Sequence, residues 1–595
     1  MAEPVVGCVY IPSARGFRLW RDWDPGAVAA DLARVRAEGL EAVRFFVLWR
    51  DFEPAPGRYD ERAFEHLRAF VEEAGRQRLL CLPAVLTVFV NGELLDLPWR
   101  AGRDLWRDAE MRERARAFAA AVAATLRGCD NVFAYDLGDE LVHLDLGACE
   151  RLGREEAERW QRELAAAIRA EHPGVPVLQG CDASAVFGAH PFGADNAAAL
   201  DLIGVHSFPN WAPVPLDGVA DPRASLLPGF LVRFARAFGR PLADELGSYG
   251  ASAELSAGHL RAAGASALAA GAAGLFAWCW QDIADESAPY DRRPHEREAG
   301  LVDAAGRAKP GLGSCRGLVS LAGLLAGAKE APAPIGVLVP DRKGAGARNY
   351  LAGEEASAAK AAFGAYVILT QEKLPVEFVL APGAATRLLV CPDPARLSLS
   401  QARALEAFVG AGGHLWLTNS TPLAIDAIAG LTGAAPRDFT IDRSGRGRLR
   451  AGGEELALDW EACGRPPASP VWELRDAEPV ARFEDGSAAI WTRQRGGGRV
   501  WTAQLPLELQ PLSREAATRD ARWGALYMEA AAAAGVAPVA RCEAPWLQLQ
   551  ARERDGERRL LAINHAASAV TTTVELAGDG FELSLPAKDF SWLSR

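Results

Sequence analysis

The first 310 residues alternate short apolar runs with longer amphipathic segments, and this alternation most restricts the fold. An apolar run followed by a segment of helical period is typical of a β-strand and the helix that returns to a parallel sheet. The eight candidate strands are Val5–Ile11, Ala42–Leu48, Leu79–Leu86, Val132–Leu137, Val175–Gln179, Leu202–His206, Pro241–Glu245 and Gly274–Trp280. Eight such units predict a (β/α)₈ TIM barrel. A doubly wound sheet has the same rhythm but needs fewer strands and fewer polar strand ends.

The rest of the chain is predicted to form two further domains. A new apolar strand follows Pro332-Ala-Pro334, and a smaller α/β pattern extends from there to residue 540. Within 331–535 there is no Gly-x-Cys-x-Gly nucleophile elbow, which favours a structural role. The residues from 541 to 595 alternate apolar and polar positions, as in Leu547–Ala551 and Thr571–Leu576, and predict a small antiparallel β-sandwich domain. The barrel is expected to occupy residues 1–330.

Charge and composition exclude several classes of partner. The net charge is -12, whereas nucleic acids and anionic membranes require a basic surface. The sequence has no apolar run long enough for a membrane span and no signal-like N-terminus, so we expect a cytoplasmic protein. Its ten cysteines are scattered and are expected to be buried thiols. No metal and no cofactor are predicted, because no set of ligands stands at metal-binding spacing.

Two of the predicted strands lead into glutamates with similar flanking residues. Strand four is followed by Asp139-Glu140, and strand seven ends in Asp244-Glu245. Active sites of such barrels are built at the C-terminal ends of the strands, so the two glutamates are expected to face each other. Glycoside hydrolysis requires two opposed carboxyl groups, one as acid and base and the other as nucleophile. Either glutamate alone is equally well explained as a charged strand-end residue, but the pair favours catalysis.

With these glutamates, residues 5–310 resemble glycoside hydrolase clan A, which includes families 5, 42 and 2. The clan carries its acid/base after strand four and its nucleophile on strand seven. Further segments match in order: Val43–Trp49, Asp51–Pro54, Gly204–Pro209, Ala277–Asp282 and Gly300–Asp303. The resemblance implies that Glu140 is the acid/base, that Glu245 is the nucleophile and that Arg44 hydrogen-bonds Glu245.

The same resemblance implies a set of substrate-binding residues. Strand six of the clan often carries His-x-Tyr, which places His206 at the site, although a satisfied strand-end histidine is the simpler interpretation. Trp278, followed closely by Trp280, matches the tryptophan that forms a sugar platform. Trp99 lies where some family 5 exo-β-mannosidases carry a substrate loop. Each tryptophan taken singly is also explained as a packing residue.

Two residues depart from the pattern of the clan. Asp139 stands where the clan usually has an asparagine that contacts the 2-hydroxyl of the sugar, and an aspartate can only accept that hydrogen bond unless it is protonated. A charge on Asp139 is also expected to raise the pKa of Glu140, unless Asp139 points away and pairs with a nearby arginine. Phe208 replaces the tyrosine whose hydroxyl often contacts the nucleophile.

Together these features predict a retaining, exo-acting β-glycosidase that hydrolyses short oligosaccharides. The opening segment, Tyr10–Ser13 and Trp20–Asp24, resembles some family 5 exo-β-mannosidases, which favours β-mannosides. The domain order resembles that of family 42 β-galactosidases, in which an amidotransferase-like α/β domain joins the subunits into trimers. That order keeps β-galactosides as a second substrate class and predicts a homo-oligomer, a trimer or a dimer. The sequence is also compatible with an endo-β-mannanase or glucanase and with a non-catalytic carbohydrate-binding barrel.

Overall fold

The computed structural model describes residues 3–188, 191–341, 357–392, 397–418, 428–451, 453–462 and 469–594. The chain divides into two compact units. The first comprises residues 1–212, 216–328 and 587–592, and the second comprises 213–215, 329–586 and 593–595. The finer separation of 331–540 from 541–595 stays a prediction.

The first unit is a barrel of eight parallel strands. The strands are β1 (Val5–Val9), β2 (Ala42–Leu48), β3 (Leu80–Thr87), β4 (Tyr135–Asp139), β5 (Val177–Gly180), β6 (Ile203–Ser207), β7 (Pro241–Leu246) and β8 (Gly274–Ala277). Their order in the sheet is β5-β4-β3-β2-β1-β8-β7-β6. The backbone N–H of His206 donates to the carbonyl oxygen of Cys181 at 2.8 Å, so hydrogen bonds also join the two ends of the sheet. The predicted TIM barrel is confirmed.

At least one helix follows each barrel strand along the chain. These helices are Pro25–Ala37, Glu61–Arg76, Ala109–Thr125, Arg154–Glu171, Ala183–Val186, Pro222–Arg236, Ala253–Ala269 and Pro310–Leu325, with shorter ones at Trp49–Phe52 and Leu146–Arg151. The helix Glu61–Arg76 shows why they form. Asp60 caps its first turn by accepting from the backbone N–H groups of Arg62 and Ala63, and its apolar residues recur at helical spacing on the buried side.

The fourth strand differs from its predicted bounds. It begins at Tyr135 and continues to Asp139, whereas the sequence predicts Val132–Leu137. Val132 forms only an isolated bridge to Cys81, so regular pairing starts later. The shift brings Asp139 onto the strand itself and leaves Glu140 as the first residue beyond it.

The second unit contains a mixed nine-stranded sheet. Its strands, in spatial order, are Val376–Val379, Ile335–Leu338, Leu388–Cys391, His414–Thr418, Gly498–Ala503, Ala488–Arg495, Glu478–Phe483, Arg448–Ala451 and Glu454–Ala457. The first five are parallel and the last four continue antiparallel. The helices are Ser357–Gln371, Leu399–Gly410, Ala429–Thr432, Ala516–Arg519 and Gly524–Ala533, and a separate ribbon pairs Ala434–Thr440 with Ser469–Leu474. The predicted α/β domain is therefore present.

Antiparallel sheets complete the second half of the chain, as predicted. One sheet has the order Lys329–Glu330, Leu547–Arg554, Glu557–Asn564 and Phe590–Ser594, and a hairpin pairs Val570–Leu576 with Asp579–Leu585. Leu547, Leu560, Val574 and Leu583 share one apolar core between them. Nine cysteines are free and eight of these are buried, while Cys463 lies outside the described residues.

Within the described ranges, no helix combines the length and the apolar character that crossing a membrane requires. The cytoplasmic location stays a prediction from the sequence.

Candidate active site

Arg44 on β2 gathers carboxyl groups from two other strands inside the barrel. Its Nη1 donates to Oε1 of Glu245 at 2.5 Å, and its Nη2 donates both to Oδ2 of Asp136 and to Oδ1 of Asp139 at 2.7 Å. The Nε of Arg44 lies 3.8 Å from Oδ2 of Asp244. Arg44 is fully buried, so these ion pairs are poorly screened by water. One guanidinium therefore fixes residues of β4 and β7 relative to each other.

His206 on β6 joins the two glutamates that the sequence singles out. Its Nδ1 donates to Oε1 of Glu140 at 2.8 Å and lies 3.6 Å from Oε2 of Glu245. Its Nε2 lies 3.4 Å from Oδ2 of Asp244. The imidazole is buried. The structure thus brings Glu140, Glu245, Asp139 and His206 together at the C-terminal ends of β4, β6 and β7, and Arg44 reaches them from within β2.

Asp136 and Asp244 are part of the same cluster, although sequence reasoning did not select them. Asp136 accepts from the backbone N–H groups of Gly138 and Gly180, and Asp244 accepts from that of Val205. Both side chains are fully buried. A charged residue inside an otherwise apolar strand was the available signal, since such residues are rarely buried unless they are paired.

Two glycines leave the space that these buried side chains occupy. A Cβ at Gly180 would lie 2.8 Å from Nε2 of His206 and 3.0 Å from oxygens of Asp136 and Asp244. A Cβ at Gly204 would lie 2.5 Å from the carbonyl oxygen of Gln179 and 2.8 Å from Oδ2 of Asp244. Side chains at these positions would displace the ion pairs, so the barrel wall is shaped around the cluster.

Burial and charge shift the pKa values in this cluster in different directions. Burial raises the pKa of Glu140, and the hydrogen bond and charge of His206 only partly offset it; Asp139 adds a smaller upward shift. Burial also raises the pKa of Glu245 well above its usual range, against the opposing charges of His206 and Arg44. Burial lowers the pKa of His206, but Glu245 and Asp244 outweigh burial and raise it well above its usual value. These acidic neighbours favour the charged, imidazolium form of His206.

Glu140 is held in an unusual backbone conformation. Its φ is 37° and its ψ is 45°, in the left-handed region that residues other than glycine and asparagine seldom adopt. Such a conformation costs about 1–3 kcal/mol and persists only where the surroundings impose it. Here it places the carboxyl group against His206 at the end of β4.

An aromatic wall stands beside the carboxyl cluster. The ring of Trp278 meets Phe46 and Phe208 edge-on, and Tyr249 stacks on Phe208 with centroids 5.6 Å apart. Glu296 lies next to Tyr249 and Trp278. Burial raises the pKa of Glu296 to about 7, while the interactions with those two rings lower it less strongly. The charge of Glu140 raises it further, which links Glu296 electrostatically to the site.

Among the described residues, the other two predicted tryptophans have no hydrogen bond or ring contact with the carboxyl cluster, and their roles in substrate binding stay predictions. Trp280 is fully buried, with the guanidinium of Arg34 5.9 Å from its ring centroid. Trp99 is half-buried; its Nε1 donates to the carbonyl oxygen of Glu53, and its ring meets Trp49 edge-on. In this structure Trp280 is a core residue, and Trp99 packs at the loops that follow β2 and β3.

Asp139, His206 and Glu245 each present one potential metal-ligand atom, and these three atoms lie within 4.8 Å of one another. The donor set does not fit a metal as it stands. An imidazolium has no free lone pair to donate, and Nδ1 of His206 is engaged with Glu140. Two buried carboxyl groups beside a charged imidazole instead suit acid–base and nucleophilic chemistry at a single carbon atom.

No protein-family model and no curated protein match the sequence. Solved structures do match it. The exo-β-1,4-mannosidase of Opitutaceae bacterium strain TAV5 is similar over 88% of this chain and 96% of its own, with 26% identity and a TM-score of 0.79. A family 42 β-galactosidase of G. stearothermophilus is similar in fold over 99% of this chain and 98% of its own, with 15% identity and a TM-score of 0.75.

A family 5 subfamily 18 protein from Streptomyces cattleya, solved in complex with Manβ1-4GlcNAc, is similar in fold over 63% of this chain and 94% of its own. Its identity is 24% and its TM-score is 0.56. The mannosidase and the galactosidase both belong to glycoside hydrolase clan A, as the resemblance of the sequence predicts. The barrel, the carboxyl cluster and these neighbours support a β-glycosidase of clan A that acts on a saccharide.

Proposed function

We propose that the protein is a retaining, exo-acting β-glycosidase of short oligosaccharides, with Glu140 as acid/base and Glu245 as nucleophile. One observation carries the retaining mechanism: both carboxylates reach the same imidazole nitrogen, Glu140 at 2.8 Å and Glu245 at 3.6 Å. The two oxygens cannot be farther apart than these distances combined. That limit applies to the nearest oxygens of the two groups, and it favours the close spacing of retaining enzymes, about 5–5.5 Å, over the roughly 6.5–9.5 Å that inverting enzymes need to admit a water molecule.

The proposed reaction has two steps. An oxygen of Glu245 attacks the anomeric carbon, and the glycosidic bond breaks as Glu140 transfers its proton to the leaving oxygen. Water then attacks the same carbon, Glu140 takes its proton, and Glu245 leaves. The raised pKa of Glu140 favours the protonated form that the first step needs. Arg44, 2.5 Å from Glu245, stabilises the carboxylate that must attack.

The favoured substrate stereochemistry is that of β-mannosides. The solved exo-β-1,4-mannosidase supports this choice, because the similarity extends over nearly the whole of both chains at 26% identity. β-Galactosides are the second candidate, favoured by the domain order of the family 42 neighbour. An endo-acting mannanase or glucanase would cleave internal linkages instead, and a non-catalytic sugar-binding barrel would cleave none.

The direct test is hydrolysis of a panel of 4-nitrophenyl β-glycosides by the wild type, Glu140→Gln and Glu245→Gln. Glu245→Gln should lose activity, Glu140→Gln should lose most of it, and Glu150→Gln, at an exposed helical position, should resemble the wild type. Proton NMR of the first product should show the β-anomer. A first product in the α-configuration would refute retention, and full activity of Glu245→Gln would refute the assigned nucleophile.

We further propose that the α/β region 331–540 joins subunits into a homo-oligomer, a trimer or a dimer. Phe439 and Ile441, two positions apart in this region, are 61% and 74% exposed, and exposed apolar side chains that lie together can mark a contact with another protein. Light scattering at micromolar concentration should give a multiple of the chain mass, and a Phe439→Ser, Ile441→Ser double variant should reduce it. A monomeric wild type would contradict the proposal.

A further inference from the structure

The carboxyl cluster contains more acidic groups than buried bases. Its five carboxyl groups are those of Asp136, Asp139, Glu140, Asp244 and Glu245. The bases buried among them are Arg44 and His206. His143 lies 3.7 Å from Glu140 but is closer to Asp182, at 3.2 Å. One guanidinium and one imidazolium would leave an excess of three negative charges if all five acids were ionised. Protons on Asp136, Glu140 and Glu245, whose pKa values burial raises, relieve this excess, and a cation bound beside them would do the same.

Glu296 adds a sixth carboxyl group, on which the charge of Arg293 acts, and Nε2 of His295 lies 3.7 Å from its Oε1. Glu296 is 6% exposed, and its Oε2 has no hydrogen-bond partner among the described residues. It lies beside Trp278 and Tyr249, and the charge of Glu140 acts on it. A buried carboxyl oxygen without a partner is an open acceptor, which points to a donor that arrives with the substrate.

Asp139 lies where it could accept a hydrogen bond from such a donor on the substrate. Only its Oδ1 is bonded, to Arg44 at 2.7 Å, and its Oδ2 has no hydrogen-bond partner in the described part of the chain. A carboxylate at this position accepts hydrogen bonds and cannot donate one. Where an asparagine amide would both donate to and accept from a 2-hydroxyl, Asp139 and the neighbouring Glu245 offer acceptors and negative charge only.

We propose that the substrate is a 2-amino-2-deoxy-β-glycoside, whose ammonium group at C2 is bound by the carboxylates of Asp139 and Glu245. An ammonium group supplies three donors and the positive charge that the cluster lacks. This inference rests on the proposed function and keeps its reaction and its catalytic pair. It changes one feature of the substrate: neutral β-mannosides become the slower substrates.

A bound ammonium group would also prepare the nucleophile. Glu245 must be ionised to attack, yet burial and the charges of Asp139 and Glu140 favour its protonated form. A cation placed against Glu245 favours the carboxylate. A glycone that carries the ammonium group would then favour the ionised form of Glu245, whereas a neutral glycone would leave Glu245 partly protonated.

A metal ion is the other cation to consider. It would need a neutral His206 with a free nitrogen, whereas the acidic neighbours of that ring favour its charged form and its Nδ1 is bonded to Glu140. Activity and amino-sugar binding that are unchanged by EDTA are therefore expected. Loss of amino-sugar binding in EDTA, restored by a divalent ion, would overturn the proposal in favour of a metal site.

The kinetic test uses substrates that differ in one group. The 4-nitrophenyl 2-amino-2-deoxy-β-D-glucopyranoside and -mannopyranoside are compared with the matching glucoside and mannoside, which also distinguishes the two epimers. We expect kcat/KM to be about 10- to 100-fold higher for one amino glycoside than for its hydroxyl counterpart, the range of a charge-assisted hydrogen bond. A hydroxyl substrate that is cleaved faster than both amino substrates would overturn the proposal.

Asp139→Asn supplies the matched variant, because it changes charge and not shape. It should reduce kcat/KM for the amino glycoside by about 10- to 100-fold and change that for the hydroxyl analogue much less, so that the preference is lost or reversed. Glu150→Gln is the control and should keep the wild-type preference. An equal decrease in kcat/KM for both substrates would mean that Asp139 stabilises the fold or positions Arg44 and does not bind the ammonium group.

Calorimetric titration with D-glucosamine, D-mannosamine, D-glucose and D-mannose separates this inference from the proposed function. An amino sugar that binds the wild type more tightly than its hydroxyl counterpart, and loses that advantage in Asp139→Asn, supports the charged subsite even if no glycoside is cleaved. Cleavage of neutral glycosides without any preference for amino sugars would support the proposed function and overturn this inference.

Discussion

Nη2 of Arg44 lies 2.7 Å from Oδ1 of Asp139 and at the same distance from Oδ2 of Asp136, so one nitrogen serves two buried carboxylates while Nη1 serves Glu245. Arg44→Lys should fail to reproduce this geometry, because a lysine is a single point charge on a flexible stem. We expect kcat/KM to fall by about 10²-fold or more. Arg76→Lys, at an exposed helical end, is the control and should have no effect.

Arg44→Met should destabilise the protein more than Arg44→Lys, because it leaves several carboxylates buried without their base. Removal of one partner from a buried ion pair costs about 3–5 kcal/mol. The measurement is the denaturant midpoint of each variant at pH 7. If Arg44→Met had the same denaturant midpoint as the wild type, the buried carboxylates would be neutralised by protons without any loss of stability.

His206→Asn should displace the pH–rate profile toward higher pH. The hydrogen bond and charge of His206 lower the pKa of Glu140, so their loss raises it and the basic limb moves up. The same charge lowers the pKa of Glu245, so the acid limb moves up as well. Profiles of kcat/KM against pH check this, with His66→Asn as the control because the His66 ring contacts the Trp20 carbonyl. An unshifted profile would contradict these roles.

Trp278→Ala and Trp280→Ala should affect different properties. Trp278 lines the aromatic wall beside the carboxylates, so its loss should raise KM. Trp280 is fully buried, so its loss should lower the free energy of unfolding by about 3–5 kcal/mol with a smaller effect on KM. Steady-state kinetics and urea denaturation of both variants separate the two. A KM that rises only in Trp280→Ala would reverse the assignment.

Glu508→Gln should flatten the pH dependence of stability in the second unit. Glu508 is buried, accepts from Thr418, Trp416 and Tyr527, and burial raises its pKa from 4.5 to about 7. A raised folded-state pKa gives stability that is present below pH 4.5 and lost as the pH rises through 7. That loss is on the order of 3 kcal/mol.

Calorimetric Tm values between about pH 4.5 and 8 test this expectation for Glu508. The wild type should lose more stability over that interval than Glu508→Gln. Glu515→Gln is the control, because Glu515 is exposed nearby in the sequence and should follow the wild type. Parallel curves for the wild type and Glu508→Gln would show that Glu508 does not titrate in this range.

The barrel and its opposed glutamates could be predicted because both depend on local patterns. Most strands are largely apolar runs, Glu140 directly follows one of them, and Glu245 is the last but one residue of another. The orientation of Trp280 could not be predicted in this way. Strand β8 ends at Ala277, so strand alternation no longer determines which way residues 278–280 face.

The roles of Asp136 and Asp244 needed the three-dimensional structure. A sequence shows that a strand contains an aspartate but not that strands two, four, six and seven direct their charges to one point. Asp139 was expected either to act on Glu140 or to pair with an arginine, and it pairs with Arg44 while raising the pKa of Glu140 slightly. The two expectations are therefore compatible.

The left-handed backbone conformation of Glu140 is needed for the proposed activity but lowers the stability of the folded protein. With φ at 37°, this position suits glycine or asparagine better than glutamate, so Glu140→Gly should relieve backbone strain and abolish turnover. If a descendant of this gene were no longer selected for hydrolysis, some random replacements of Glu140 would therefore stabilise the protein. Lineages of this barrel that lose the glutamate are expected to persist as durable, inactive scaffolds, and selection for heat resistance alone would enrich them.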